Sequence, residues 1–217
     1  MRTTLLDDAS RWPAISKLPD YMPEDTARLE DWVRYYWDCG LTVVPLKADR
    51  TPVARWAHYR DDSQAYDVDC TRWLKYRDFE KCNGIGVLTE FSRCVCTDVD
   101  LPFDEALEHL AWNFKIGLSA TDMGGSVVKT RSGRLHAWFG VDDVSALRSL
   151  SLGDVSELGV EHVEFKAYGS CVPLPPSISA PGRYDWVVPP LPFAPATYNV
   201  FPSLPKWMSW AVEAASK

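Results

Sequence analysis

The sequence predicts an α+β fold in which helices cover one face of a sheet. Segments with helical spacing of apolar residues alternate along the chain with short β-branched runs. Several of these runs are separated by only a few residues that include Gly, Asn or Ser, as expected for antiparallel strands joined by tight turns. Strands that pair in hairpins and are interleaved with helices are typical of an α+β sheet layered with helices.

The first half of the chain contains two predicted helices and three predicted strands. Gly40 follows the first helix, predicted over 27–39, and is a residue typical of the position at which a helix ends. Residues 90–93 are predicted to form a turn, so the strands on either side of it should pair as a hairpin over 85–100. Apolar spacing and β-branched composition predict helices over 27–39 and 71–76, and strands over 41–46, 85–88 and 94–100.

The second half of the chain repeats this alternation. The same two patterns predict helices over 103–114, 144–150 and 206–216, and strands over 126–130, 135–139, 163–166 and 184–188. Composition then predicts the domain boundaries. Residues 1–24 are an arm that contains three prolines, residues 25–190 are the main domain, and residues 191–217 are a proline-rich connection followed by a helix.

Composition and charge exclude several classes of protein. The formal net charge of −7 argues against unspecific binding of nucleic acid by the whole surface, because such binding depends on Lys and Arg. No apolar run is long enough to span a membrane and the acidic N-terminus is not a signal peptide, so we expect a cytoplasmic protein. The six cysteines form no CxxC pair, which argues against a zinc ribbon and predicts reduced thiols.

Two aspartates one residue apart end the strand predicted over 94–100. Because alternate side chains of a strand share a face, Asp98 and Asp100 lie side by side, with Cys94 and Cys96 packed on the same face. Adjacent carboxylates repel unless a cation or a proton neutralises one of them, and Mg²⁺ prefers such oxygen ligands. The motif therefore predicts either a metal site or a strand end whose aspartates are merely solvated.

A third carboxylate lies in the strand predicted over 163–166. Glu164 is in the middle of this strand, where an unpaired charge is costly, and Lys166 shares its face. The pair predicts a third metal ligand with a cation for phosphate. The alternative is an ion pair on an edge strand, with no further role.

A loop that leads into a strand supplies candidate phosphate-binding groups. Ser132, Gly133 and Arg134 come shortly before His136. A hydroxyl, a flexible glycine, a guanidinium and an imidazole together are able to hold a triphosphate. A lone histidine in an apolar strand is more often a core residue, so both interpretations of His136 stay open on the residues alone.

These motifs resemble, in chain order, the primase-polymerase (prim-pol) domain of the archaeo-eukaryotic primase superfamily, as found in phage and plasmid replication proteins. The likeness covers about residues 28–190 and departs from the family at Glu164, where the family usually has Asp. The matching pieces are residues 40–45 with 50–52 (the opening strand and its basic loop), 83–89 (the next strand), 98–100 (the metal-binding motif), 130–136 (the nucleotide-binding motif), 163–166 (the strand of the third acidic residue), and 175–177 with 184–186 (the closing signature).

The resemblance implies a primase-type catalytic core over residues 25–190, with an RRM-like palm sheet, helices packed on it and a further C-terminal helix. It implies a nucleotidyltransferase that makes and extends primers on a single-stranded DNA template from NTPs or dNTPs, with two Mg²⁺ or Mn²⁺ ions. By that resemblance, Asp98, Asp100 and Glu164 are the catalytic metal ligands, Ser132, Arg134, His136 and Lys166 bind the nucleotide, and Arg50, Arg55 and Arg131 contact the template.

The resemblance also implies a role in phage or plasmid replication in the cytoplasm of a bacterial host. It leaves open a helicase domain fused C-terminally in a longer protein. One alternative is a non-catalytic replication module that binds DNA or a partner. A metal-dependent nuclease or replication initiator is less favoured, because the sequence lacks the His-x-His pair that such a site requires.

Overall fold

The chain forms three antiparallel sheets, of five, three and two strands. The computed structural model describes residues 22–62, 64–76, 78–157, 160–190 and 201–216. Within these residues the α-helices are Leu29–Asp38 (α1), Ala65–Lys75 (α2), Thr89–Ser92 (α3), Phe103–Phe114 (α4), Leu152–Glu157 (α5) and Ser209–Ala215 (α6). The strands are Val43–Leu46 (β1), Gly84–Leu88 (β2), Cys94–Val99 (β3), Ser126–Lys129 (β4), Leu135–Gly140 (β5), Val163–Lys166 (β6), Cys171–Leu174 (β7), Ile178–Ser179 (β8), Gly182–Arg183 (β9) and Asp185–Val188 (β10). The predicted α+β class is confirmed.

The five-stranded sheet has the strand order β10-β4-β5-β3-β6, and every neighbouring pair is antiparallel. Its main part follows the element order β3-α4-β4-β5-α5-β6, which is the βαββαβ order of ferredoxin-like folds. β3 lies between β5 and β6, so its residues have cross-strand neighbours on both sides. The RRM-like character of the sheet stays a prediction.

The three-stranded sheet has the order β1-β2-β7, and its central strand, β2, is buried along its whole length. Pro45 and Pro173 lie in its two edge strands, where a missing N–H leaves no bond of the ladder unmade. The predicted hairpin over 85–100 is wrong, because β2 belongs to this sheet and β3 to the five-stranded one. The helical turn α3 and the left-handed Arg93, with φ of 48°, redirect the chain between them.

Two apolar clusters lie on opposite faces of the five-stranded sheet. On one face, Val95, Val99 and Phe139 belong to a cluster with α4 and α6. On the other face, Cys94 and Trp138 belong to a cluster with the three-stranded sheet and α1. The predicted layer of helices on one face is therefore present, and a second sheet covers the other face.

A chain of hydrogen bonds joins the two sheets. The Tyr36 hydroxyl of α1 donates to the carbonyl of Pro175 at 2.6 Å and accepts from the Trp186 indole of β10 at 2.9 Å. Burial raises the pKa of Tyr36 well above its ordinary value, so this hydroxyl keeps its proton. The Ser177 hydroxyl accepts from the Ile85 N–H at 2.8 Å, which ties the loop after β7 to β2.

Residues 144–150 form no helix, contrary to the prediction. Val144, Leu147 and Leu150 are buried at a spacing of three, but the backbone N–H and C=O of Leu150 both pair with Phe165 of β6, at 2.8 and 2.9 Å. These bonds use backbone groups that a helix would need for itself. The helix begins later, at α5, where the Ser151 hydroxyl donates to the Asp154 carboxylate across the first turn.

The last described segment packs onto the five-stranded sheet. Phe201 is fully buried and stacks on Trp138, with ring centroids 5.4 Å apart. Trp207 and Trp210 contact Phe114 at the end of α4. The helix predicted over the C-terminal residues is present as α6, and it belongs to the cluster on the helical face.

Two predicted segments fall mostly outside the described residues. Of the arm over 1–24, only 22–24 are described, and of the connection between the main domain and the last helix, residues 191–200 are not. The three domain boundaries accordingly stay predictions. None of the described helices has the length and apolar character needed to cross a membrane.

Candidate active site

A row of three polar side chains crosses the five-stranded sheet. Asp98 of β3 lies opposite His136 of β5 on one side and opposite Glu164 of β6 on the other. Cross-strand neighbours project from the same face, with Cβ atoms about 5 Å apart. We call Glu164, Asp98 and His136 the polar row, since the register of three strands brings them together although they are far apart in the sequence.

The face that carries the polar row becomes more exposed along β3. Cys94 and Cys96 are fully buried, whereas the side chain of Asp98 is 30% exposed and that of Asp100, just after the strand, is 36% exposed. Burial raises the pKa of both thiols, so they are neutral packing residues beneath the carboxylates, as predicted. The carboxylates lie at the open end of this face.

The two outer carboxylates each have a basic partner. Arg134 forms an ion pair with Asp100, and Lys166 forms one with Glu164. β6 is an edge strand, so the second pair is the edge-strand ion pair that the sequence left open as an alternative. Both pairs neutralise negative charge that would otherwise concentrate beside Asp98.

His136 is buried and holds Asp98 in place. Its Nε2 lies 3.5 Å from Oδ1 of Asp98, and its ring packs on Tyr184 with centroids 5.8 Å apart. Burial works to raise the pKa of Asp98, but the hydrogen bond from His136 and the charges of His136, Lys166 and Arg134 outweigh it, so the pKa lies below its ordinary value. Asp98 is therefore ionised at neutral pH. Within the described part of the chain, Nδ1 of His136 has no hydrogen-bond partner.

The loop between β4 and β5 carries the other predicted donors. Gly133 has a φ of 76°, in the left-handed region that favours glycine, and this conformation allows the tight turn. Its carbonyl accepts from the Phe103 N–H at 2.8 Å, which anchors the loop to the start of α4. Ser132 is exposed at the tip, and Arg134 is 48% exposed where it reaches the carboxylates.

A comparison with protein families matches the chain to Prim-Pol, the N-terminal domain of bifunctional DNA primase/polymerases, over residues 33–207. The chain belongs to this family. The family resemblance of the sequence motifs is thereby confirmed, and the match continues past residue 190 through the segment that packs Phe201 onto the sheet. Among curated proteins, none matches the sequence.

The carboxylates of this Prim-Pol domain fit a divalent metal by their chemistry, because Mg²⁺ and Mn²⁺ prefer oxygen ligands. In the residues that the structure describes, no three His, Cys, Asp or Glu side chains are placed so that they could hold a metal ion as they stand. Asp100 and Glu164 each form an ion pair with a basic side chain in this arrangement. A metal ion would compete with Arg134 and Lys166 for these oxygens, and the ligand roles stay predictions.

The three predicted template residues of the Prim-Pol domain lie on two different loops. Arg50 and Arg55 are exposed in the loop after β1, at the end of the three-stranded sheet, and Arg131 is half-buried in the loop between β4 and β5. Their template role stays a prediction. Sequence reasoning gave Tyr184 no role, although its ring packs on His136, and its place in the closing signature was the available signal.

Proposed function

We propose that this chain is a DNA primase-polymerase that performs template-directed nucleotidyl transfer on single-stranded DNA. The observation that carries the proposal is the polar row of a Prim-Pol domain, with the carboxylate of Asp100 beside it and basic side chains around it. Paired carboxylates with nearby cations suit a reaction between highly charged phosphate groups.

The acidic residues would supply the reaction centre. Asp98, Asp100 and Glu164 would hold two Mg²⁺ or Mn²⁺ ions, which when bound stabilise the attacking and leaving oxygens of an in-line displacement. The chain needs no nucleophile of its own, because positioning and charge neutralisation supply most of the catalysis in phosphoryl transfer. His136 orients the Asp98 carboxylate from beneath and favours its ionised form.

The basic residues would bind the incoming nucleotide. Arg134 and Lys166 are partly exposed and already hold carboxylate oxygens, and a triphosphate offers the same kind of oxygen at higher charge density. Ser132 would add a hydroxyl donor from the exposed loop tip. The nucleotide-binding role of His136 stays a prediction, and the buried imidazole would in addition hold Asp98.

The proposal includes the biological setting that the family resemblance suggests. This is the synthesis and extension of primers from NTPs or dNTPs during phage or plasmid replication, in the cytoplasm of a bacterial host. A helicase domain fused C-terminally in a longer protein would supply the unwound template. The support for this setting is the family membership over residues 33–207.

The proposal is tested by incorporation of labelled NTPs and dNTPs on single-stranded DNA, with Mg²⁺ and with Mn²⁺. We expect Asp98→Ala combined with Asp100→Ala to abolish incorporation and to leave the circular dichroism spectrum unchanged. The matched control is Asp142→Ala with Asp143→Ala, which removes the same charge from an exposed loop and should act like the wild type. Undiminished incorporation by the first variant would overturn the assignment, and an inactive wild type would favour the non-catalytic module.

A further inference from the structure

A cleft lies away from the polar row, at the end of the three-stranded sheet. Its volume is about 640 Å³, within the range of ligand-binding pockets. The loop after β1, the end of α2 and the helical turn Asp78–Lys81 surround it. Val53, Ala54 and the buried Trp73 give it an apolar wall.

Three basic side chains from different elements line this cleft, Lys47 from the loop, Arg72 from α2 and Lys81 from the helical turn, together with the acidic Asp78. We call it the basic cleft. The side chains of Arg72 and Lys81 are 55% and 73% exposed, and each pairs with an aspartate three residues away in sequence, Asp69 and Asp78. The pair of Lys81 is exposed and contributes little stability. Asp69 is only 15% exposed, but the Arg72 guanidinium has further N–H donors, so both cations can contact another anion.

A line of contacts joins the basic cleft to the polar row. The carbonyl of Asn83, which lines the cleft, accepts from the Ile178 N–H at 2.6 Å. The carbonyl of the preceding Ser177 accepts from the Tyr184 N–H at 2.9 Å, and the Tyr184 ring packs on His136. Ile178 itself is 58% exposed along this line. The cleft and the polar row are therefore linked through the segment that contains Ser177, Ile178 and Tyr184.

We propose that the basic cleft binds backbone phosphates of the single-stranded DNA whose adjoining nucleotides lie at the polar row. Exposed Lys and Arg supply the sequence-independent affinity of proteins for nucleic acid phosphates. The exposed apolar side chains of Val53 and Ile178 offer surface to unpaired bases, which carry a large apolar face. Arg50 and Arg55 belong to the loop that borders the cleft and extend its basic surface.

The inference rests on the proposed function, because it gives the template strand of that reaction a place on the protein. A nucleoside triphosphate carries the same phosphate chemistry and is the other source of such a ligand. The three cations come from three different elements, and a chain of phosphates can offer each of them a group of its own. The experiment separates the two sources.

The test replaces Lys47, Arg72 and Lys81 together by Gln, which keeps the length of each side chain and removes its charge. Fluorescence anisotropy measures the binding of a single-stranded oligonucleotide with a 5′-hydroxyl end across a salt series. We expect affinity to fall at least about tenfold. The slope of log K against log salt concentration should become shallower by about 2, since each lost phosphate contact removes about 0.7 from the slope. The template concentration that gives half-maximal incorporation should rise in parallel. The nucleotide concentration that gives half-maximal incorporation should stay unchanged.

The matched control replaces Lys115, Arg148 and Lys206 by Gln. These three are exposed on elements next to the helix-covered face, and the variant loses the same charge, so its salt plot should match the wild type. Wild-type oligonucleotide binding by the cleft variant would overturn the inference. The inference would also be overturned if only the nucleotide concentration for half-maximal incorporation rose, because the cleft would then be a mononucleotide site. Both outcomes leave the proposed function standing, because the variant Asp98→Ala with Asp100→Ala tests that separately and should still bind the oligonucleotide.

Discussion

The two larger sheets of this Prim-Pol domain differ in where they place charge. The strands of the three-stranded sheet contain no acidic or basic side chain, and β2 is buried throughout. The five-stranded sheet carries Asp98, His136, Glu164 and Lys166 on adjoining strands. A strand covered on both faces cannot hold an unpaired charge at low cost, whereas β6 alternates buried and half-buried residues and leaves one face open. One sheet is therefore an uncharged scaffold, and the other carries the candidate reaction centre.

Glu164→Gln tests the charged sheet and has the largest expected effect. If Glu164 is the third ligand, the incorporation rate should fall about 10³-fold, or about 4 kcal/mol of activation free energy. Glu161→Gln is the control, since the Glu161 side chain is 75% exposed and lies 3.9 Å from its neighbour His162. A rate within about threefold of the wild type would mean that Glu164 serves only its ion pair with Lys166.

Ile85→Ala tests the uncharged sheet. Ile85 is fully buried in β2, so the variant should lose about 3 kcal/mol of unfolding free energy, measured by urea denaturation. The rate per folded molecule at low temperature should not change. Val68→Ala, at a side chain that is 65% exposed, should change stability by less than about 0.5 kcal/mol. A large fall in rate per folded molecule would break the division between the two sheets.

Ser177→Ala tests the tie between the loop after β7 and the uncharged sheet. The variant leaves the buried Ile85 N–H without its acceptor, so we expect a loss of about 2 kcal/mol in unfolding free energy. Ser216→Ala removes an exposed hydroxyl that donates to the Val212 carbonyl, and its effect should be much smaller. Equal effects of the two substitutions would show that the Ser177 bond contributes nothing special to the scaffold.

The smallest effects are expected from exposed aspartates in loops of both sheets. Hydrogen bonds from Thr51 and Ser119 hold the pKa of Asp49 and Asp122, respectively, below the ordinary value. A carboxyl with a lowered pKa stabilises the fold above its unfolded pKa and loses this contribution as pH falls. Thermal melts of Asp49→Asn and Asp122→Asn should therefore differ slightly from the wild type at pH 7 and converge below about pH 4. A difference that persists at low pH would contradict this account.

Local patterns predicted the parts of the site that depend on a single strand. Alternation alone placed Asp98 on the face of Cys96, and Glu164 on the face of Lys166, and the structure has both arrangements. The pairing of Asp98 with both His136 and Glu164 could not be predicted, because it depends on the register of three strands. Register is set by turn geometry and by which side chains pack together from strands that are far apart in sequence.

The prediction of a hairpin over 85–100 was wrong for the same reason. Two apolar runs with a turn between them satisfy the pattern of a hairpin, but the pattern does not say which strands pair. β2 finds its neighbours in β1 and β7, and β3 finds its neighbours in β5 and β6. The basic cleft was missed likewise, because Lys47, Arg72 and Lys81 come together only through tertiary packing.

The ion pairs at the open end of the five-stranded sheet have a consequence for how the protein matures. Arg134 and Lys166 give Asp100 and Glu164 their countercharges from within the chain. Small metal-binding domains that lack such partners stay unfolded until the ion arrives. The charges of Asp100 and Glu164 are thus balanced within the chain, so no metal ion is needed to offset them while this part of the domain folds. Under the function proposed above, the binding of metal and nucleotide would be an equilibrium separate from folding.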